Sequence, residues 1–186
     1  MVVHTFPTAT SHRQQLTPVG AYDQIITALR NGQLHRFCGY GFHMAYIDSN
    51  GFAHVRLTVT DIARSKDFYD AVFGWPIAID ASDSVNEPGV TESAEKFYGG
   101  VVYQTPQGTL FGLRPVGQSE FDSTRTGLDH VSFAVSARSD LESAKKALSD
   151  AGIPHGEIKD LDDAGMAILS IQDPDDINIE LTAPLS

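Results

Sequence analysis

Two stretches of this chain alternate apolar and polar side chains in the same way. In the first, Val55, Leu57 and Val59 alternate with His54, Arg56, Thr58 and Thr60. In the second, Val131, Phe133 and Val135 alternate with His130, Ser132 and Ala134. A period of two is the mark of a strand with one buried face. Each strand therefore has a core face and a second face that opens with a histidine. The two copies lie about 76 residues apart, an internal repeat that decides the architecture.

The residues after each strand repeat as well. After the first, Asp61 is placed to cap a helix through Phe73, with Ala63, Phe68, Ala71, Val72 and Phe73 near one stripe and Gly74 as its stop. Strands are predicted over Trp75–Ala81, Phe97–Gln104 and Thr109–Pro115, with a polar loop over 82–95 and a hairpin turn at Pro106-Gln107-Gly108. After the second, Ser139 to Glu142 reads as a capping box opening a helix through Ala151, which Gly152 ends. Strands are then predicted over Pro154–Lys159, Met166–Ile171 and Asn178–Thr182. The order in both halves is strand, helix, strand, strand, strand. The expected fold class is α+β, with two tandem βαβββ modules curling around a metal and substrate cavity, and an N-terminal extension. The boundaries are an arm over 1–50 with one short helix at Ala21–Arg30, a first module over 51–116, a linker over 117–126 and a second module over 127–186.

Composition narrows the function. Acidic residues outnumber basic ones by 24 to 13, which argues against nucleic acid as a partner, since such binding rests on Lys and Arg at phosphates. No apolar run approaches the length of a membrane span, so no membrane partner is expected. The first residues, Met1 to Pro7, carry no charged lead and apolar core, so a cytoplasmic location is expected. Cys38 is the one cysteine, which excludes an intrachain disulfide and a zinc site built on several thiolates.

The histidine faces carry the candidate chemistry. In Asn178-Ile-Glu-Leu-Thr182, Ile179 and Leu181 make a core face, and Asn178, Glu180 and Thr182 the opposite one. Were the two sheets to curl toward each other, His54, His130 and Glu180 would meet in one cavity. Two imidazoles and a carboxylate leave coordination positions open and suit one divalent ion: Fe, Mn, Ni, Co or Zn. A lone strand histidine or a terminal-strand glutamate is as readily a solvated residue; the repeat is what singles these three out. Arg56, Tyr103, Arg114, Ser132 and Asn178 fall on the proposed cavity faces as candidate substrate-binding residues, and either arginine suits an anionic group.

The stretches HVRLTVTDIARSKDFYDAVFGW and LDHVSFAV, with the ending DPDDINIEL, resemble the vicinal oxygen chelate superfamily of glyoxalases, bleomycin- and fosfomycin-resistance proteins and extradiol dioxygenases. The resemblance covers about Phe52 to Pro184. It implies that two βαβββ modules pair around one metal, that His54 and His130 match the first-strand histidines, and that Glu180 matches the last-strand glutamate and is the catalytic residue. A further family position, often Glu, Gln or His, falls at Gly112, which implies a three-ligand site. Ser170 and Asp176 stand where ring-cleaving dioxygenases usually carry Tyr and then Gly or Pro. The implied function is therefore a metal-dependent enzyme acting on a small substrate through adjacent oxygens, with lyase or isomerase chemistry ahead of ring-cleaving dioxygenation. The alternative is a metal-independent protein that binds a drug or metabolite, as bleomycin-resistance proteins do. A homodimer is also implied, because such modules can pair across chains.

Overall fold

The computed structural model describes residues 46, 47 and 49–185. The expected arm, with its helix at Ala21–Arg30 and Cys38, lies almost wholly outside the described residues. The rest is α+β, in two βαβββ modules. The first comprises β1 (His54–Thr58), α1 (Ile62–Phe73), β2 (Ile77–Asp80), β3 (Val101–Gln104) and β4 (Leu110–Arg114). The second comprises β5 (Val131–Ala134), α2 (Arg138–Ala151), β6 (Lys159–Leu161), β7 (Met166–Gln172) and β8 (Asn178–Pro184). Each sheet has the order first, fourth, third, second strand; the first and fourth are parallel and the others antiparallel.

Helix α1 starts where the sequence places it. The Asp61 carboxylate accepts from the Ala63 and Arg64 N–H groups, and Gly74 closes the helix in the left-handed region. Helix α2 departs from expectation. It begins at Arg138, and the Asp140 carboxylate, not Ser139 or Glu142, reaches back to the Ala137 N–H at 3.0 Å. Glu142 instead accepts from Arg138 one turn away. The strand expected over Phe97–Gln104 is shorter, because Phe97–Gly99 forms a tight turn before β3. That expected over Pro154–Lys159 starts later, with only His155 bridging to β7 beforehand.

The apolar faces of the two sheets share one core. Leu57, Val59, Tyr69, Phe111 and Leu113 of the first module and Leu169, Ile171, Ile179 and Leu181 of the second belong to one buried cluster. Phe133 of β5 enters the aromatic group of the first module, 5.1 Å from Phe73, 5.0 Å from Trp75 and 5.5 Å from Phe111 between ring centroids. The loop between β7 and β8 fastens the modules further. Asp175, 3% exposed, accepts from the Thr60 N–H at 2.8 Å, the Thr60 hydroxyl and the Arg64 guanidinium at 2.6 Å. Asp173 accepts from the Asp175 and Ile177 N–H groups, both at 2.8 Å, and from the Tyr69 hydroxyl at 3.1 Å.

This loop can be tested at both of its aspartates. Asp175→Ala strands two Thr60 donors at the module junction and costs about 2–4 kcal/mol of unfolding free energy in urea melts; a loss below about 0.5 kcal/mol would mean that the loop does not join the modules. Burial holds the Asp173 carboxyl above its usual range, against the hydrogen bonds it accepts. The folded protein thus binds that proton more tightly than the unfolded chain. Its contribution is present below the ordinary carboxylate value of about 4 and is lost as pH rises through the higher folded value. The stability of the wild type relative to Asp173→Asn should therefore fall across that window, and a rise would contradict the burial.

Candidate functional site

The strand registers place the candidate residues. Across the parallel β1–β4 pair, Arg56 lies opposite Gly112 and Thr58 opposite Arg114. Across β5–β8, Ser132 lies opposite Glu180 and Ala134 opposite Thr182. His54, Arg56 and Thr58 are exposed, as are His130, Ser132 and Ala134, so the polar faces are the uncovered faces of their sheets.

On the second module a linked group is built. The His130 Nδ1 lies 2.5 Å from the Asp129 carboxylate. A carboxylate at Nδ1 favours the tautomer with its proton there and leaves the Nε2 lone pair free. Nε2 lies 3.9 Å from Glu180 Oε1. Two such donors can share a divalent ion at roughly 2.0–2.2 Å from each. The Thr182 hydroxyl donates to Glu180 Oε1 at 3.1 Å. With that proton committed, the 2.5 Å contact between the Ser132 and Thr182 hydroxyls has Ser132 as donor. Glu180, half-buried, is thus oriented by a chain of two hydroxyls. Asn178 donates to the Asp129 carbonyl at 3.2 Å and accepts from Gln172 at 2.8 Å, which steadies the turn that carries His130.

His54 is not part of that group. It opens β1 and lines a cavity of about 100 Å³ on the first sheet with Arg56, Ile79, Phe97, Val102, Leu110 and Gly112. Among the described residues no three His, Cys, Asp or Glu side chains come together as a metal site. The reason lies in the core. Each sheet buries its apolar face in the shared core, with its own module's helix against it, and leaves its histidine face uncovered, so within one chain those faces do not meet. The donors of the second sheet, His130 Nε2 and Glu180 Oε1, are of a kind and spacing that would fit an ion as part of a site.

Arg56 and Arg114 lie at the ring of Tyr98, with guanidinium carbons 5.7 and 4.0 Å from its centroid. Tyr103, expected on the cavity face, is instead a core residue. It pairs with Phe111 across β3–β4, is fully buried, and its hydroxyl donates to Asp70 at 2.9 Å. Burial and that carboxylate both raise its pKa, so it is a neutral donor in the core. Three of four residues in Val101-Val-Tyr-Gln104 are apolar, so alternation gave no face there.

Two contributors were not foreseen. Asp129 could have been found as an acid directly before a strand-opening histidine. Tyr98 could have been suspected from the aromatic pair before Gly99-Gly100. Gly112, expected only as a missing ligand, has a role of its own: a Cβ there would lie 3.3 Å from Arg56 Nε, so the glycine makes room for that guanidinium.

The chain belongs to the glyoxalase/bleomycin resistance protein/dioxygenase superfamily, whose family model matches residues 51–181. A search of curated proteins finds no match. Among solved structures, a glyoxylase/bleomycin resistance protein/dioxygenase domain from Frankia sp. EAN1pec is 26% identical, with a TM-score of 0.59 over 74% of this chain and 93% of that one. A glyoxalase/dioxygenase from Nostoc punctiforme is 20% identical, with a TM-score of 0.58 over 80% and 100%. A variant of the fosfomycin resistance protein FosX from Listeria monocytogenes, solved with Mn(II) and 1S,2S-dihydroxypropylphosphonic acid, is 15% identical, with a TM-score of 0.57 over 74% and 94%. The last two show the fold. No described helix is long and apolar enough to cross a membrane.

The Asp129 contact sets a measurable property. Long-range nitrogen–proton NMR at neutral pH should show the neutral His130 ring mainly as the Nδ1–H tautomer, with Asp129→Ala moving it several-fold toward Nε2–H. An unchanged ratio would mean that Asp129 does not orient the ring.

Proposed function

We propose that this protein is a divalent-metal-dependent enzyme acting on a small substrate that chelates the ion through adjacent oxygens, with lyase or isomerase chemistry favoured over ring cleavage. The observation that carries this reading is the paired donor set, His130 Nε2 and Glu180 Oε1 at 3.9 Å. Each donor is oriented from behind, as metal ligands commonly are. His54 is the third ligand, contributed by a second copy of the chain. Each copy exposes one sheet face opening with a histidine and one bearing His130 and Glu180, so two copies pairing unlike faces would form two equivalent sites.

Held by His130 and Glu180 with His54 of the second copy, a divalent ion would supply Lewis-acid polarisation of a substrate oxygen. The chain's own residues do the rest. Asp129 keeps the proton on His130 Nδ1. Thr182 and Ser132 hold Glu180 Oε1 at a fixed angle, and the other carboxylate oxygen remains available to take a proton from bound substrate. The proposed setting is the cytoplasm, with a homodimer as the working unit. The Mn(II) of the FosX variant's structure supports a hard divalent ion, and Fe, Ni, Co and Zn suit the same donors.

One experiment tests both the ion and its sharing. His54→Ala and Glu180→Gln chains are each stripped, loaded with Mn(II), Ni(II) or Zn(II), and assayed for tightly bound ion. Each alone should lose at least tenfold in affinity. Mixed and reassembled, they should regain one intact site per pair, since one chain's His54 then meets the other's His130 and Glu180. No recovery would contradict the shared site. Absence of tight ion binding in wild type would instead favour the metal-independent binding protein.

A further inference from the structure

The first sheet holds a cationic group that the metal reading does not use. Arg64, Lys66, Lys96, Arg125, Arg138, Lys145 and Lys146 each pair with a carboxylate. Besides Lys159 on the second sheet, the described cations without such a partner are Arg56 and Arg114, in a chain of net charge −11. They sit on neighbouring strands of one exposed face, and both guanidiniums lie at the ring of one residue, Tyr98. Like charges so placed repel, and an acidic protein has many carboxylates that could have been put between them.

The surroundings hold the pair in place. Phe97 and Tyr98 adopt φ of 49° and 57°, two consecutive non-glycine residues in the left-handed region, where side chains are disfavoured. Such geometry persists where packing over-determines it, commonly at ligand sites. Here the next residue but one fixes it: a Cβ at Gly100 would lie 2.1 Å from the Leu113 carbonyl oxygen, so the turn is pressed against β4 next to Arg114. Gly112 opens the space that Arg56 crosses. Stacking on an aromatic face uses the flat of a guanidinium and leaves its in-plane N–H donors unspent. The Arg114 Nε is buried with no hydrogen-bond partner. Unmet donors of this kind call for an acceptor. On the same face, Arg56 and His54 line a cavity of about 100 Å³ with Phe97 and Gly112, which has room for one small group.

We propose that Arg56 and Arg114, placed by Tyr98 beside His54, form an oxyanion subsite that takes a carboxylate or phosphate group of the substrate. This rests on the proposed function, with the His54 face as part of the active site, and assigns the substrate a negative charge near its chelating oxygens. Arg56 and His54 line the same cavity, so one small molecule can reach both. Lysine at either position would keep the charge but lose the planar fork and the stacking.

The test is calorimetric titration of inorganic phosphate, and separately of malonate, into the full chain stripped of divalent ions at low salt. One saturable site per chain is expected for at least one probe, weakening as salt is raised. Binding of phosphate alone assigns a phosphoryl group, of malonate alone a carboxylate, and of both a general oxyanion pocket. Arg56→Gln and Arg114→Gln should each weaken binding at least tenfold, Arg114→Lys should restore part of it, and circular dichroism should show all three folded. Lys159→Gln, an unpaired cation outside both sites, should bind the anion as wild type does; because anion binding is read on the ion-free chain and tight Mn(II) binding is measured separately, failure of the metal reading is distinguishable from failure of the anion subsite. No saturable binding of either probe, or unchanged binding in the folded Arg56→Gln/Arg114→Gln double variant, overturns the proposal.

Discussion

Both sheets bury their apolar faces in one core, and the placement of every candidate residue follows from that burial. Phe133 leaves its own module to join Phe73, Trp75 and Phe111, and the Asp173–Asp175 loop locks onto Thr60, Arg64 and Tyr69. Large aromatic side chains bury enough surface to dominate such a junction, at about 25 cal/mol per Å² of apolar area. Once the apolar faces are joined, the polar faces must look outward. His54 on one and His130 with Glu180 on the other therefore remain apart within a chain. Two uncovered sheet faces, each with part of the proposed site, are the direct outcome of the way this core is packed.

Each half has a different character. The second sheet's face is a donor set: an imidazole with its tautomer set by Asp129, and a carboxylate aimed by Thr182 and Ser132. The first sheet's face is cationic, with a single imidazole beside two guanidiniums at a tyrosine ring. A hard cation suits the donor set and an anionic oxygen the cationic face. Brought together, they would complement each other around a small oxygenated substrate. Gly112 shows how the division is maintained, since the absence of a side chain removes a potential donor and admits Arg56 in one stroke.

Much of this was legible in the sequence. Period-two alternation around His54 and His130, and the 178–182 ending, placed those residues and Glu180 on the polar faces of strands, and the repeat gave the two βαβββ modules. Asp61 and Gly74 bounded α1 because caps are local chemistry. Other features were not legible because they are tertiary. Alternation tells which face of a strand is polar, not whether two polar faces look at each other; that was decided by where Phe133 packs. Tyr103 was placed on the wrong face because its strand is apolar at three positions of four. The Phe97–Tyr98 turn reads as strand by composition, and only its packing against β4 forces the left-handed backbone.

In the proposed dimer, one ion joins the face of one copy to the face of another. Anomalous diffraction from crystals of the Mn(II)-loaded protein tests it most directly. The account predicts a single strong anomalous peak between His130 Nε2 and Glu180 Oε1, with His54 from a second copy completing the ligands. A peak elsewhere, no peak at all, or an ion held by His54 of the same chain would contradict it.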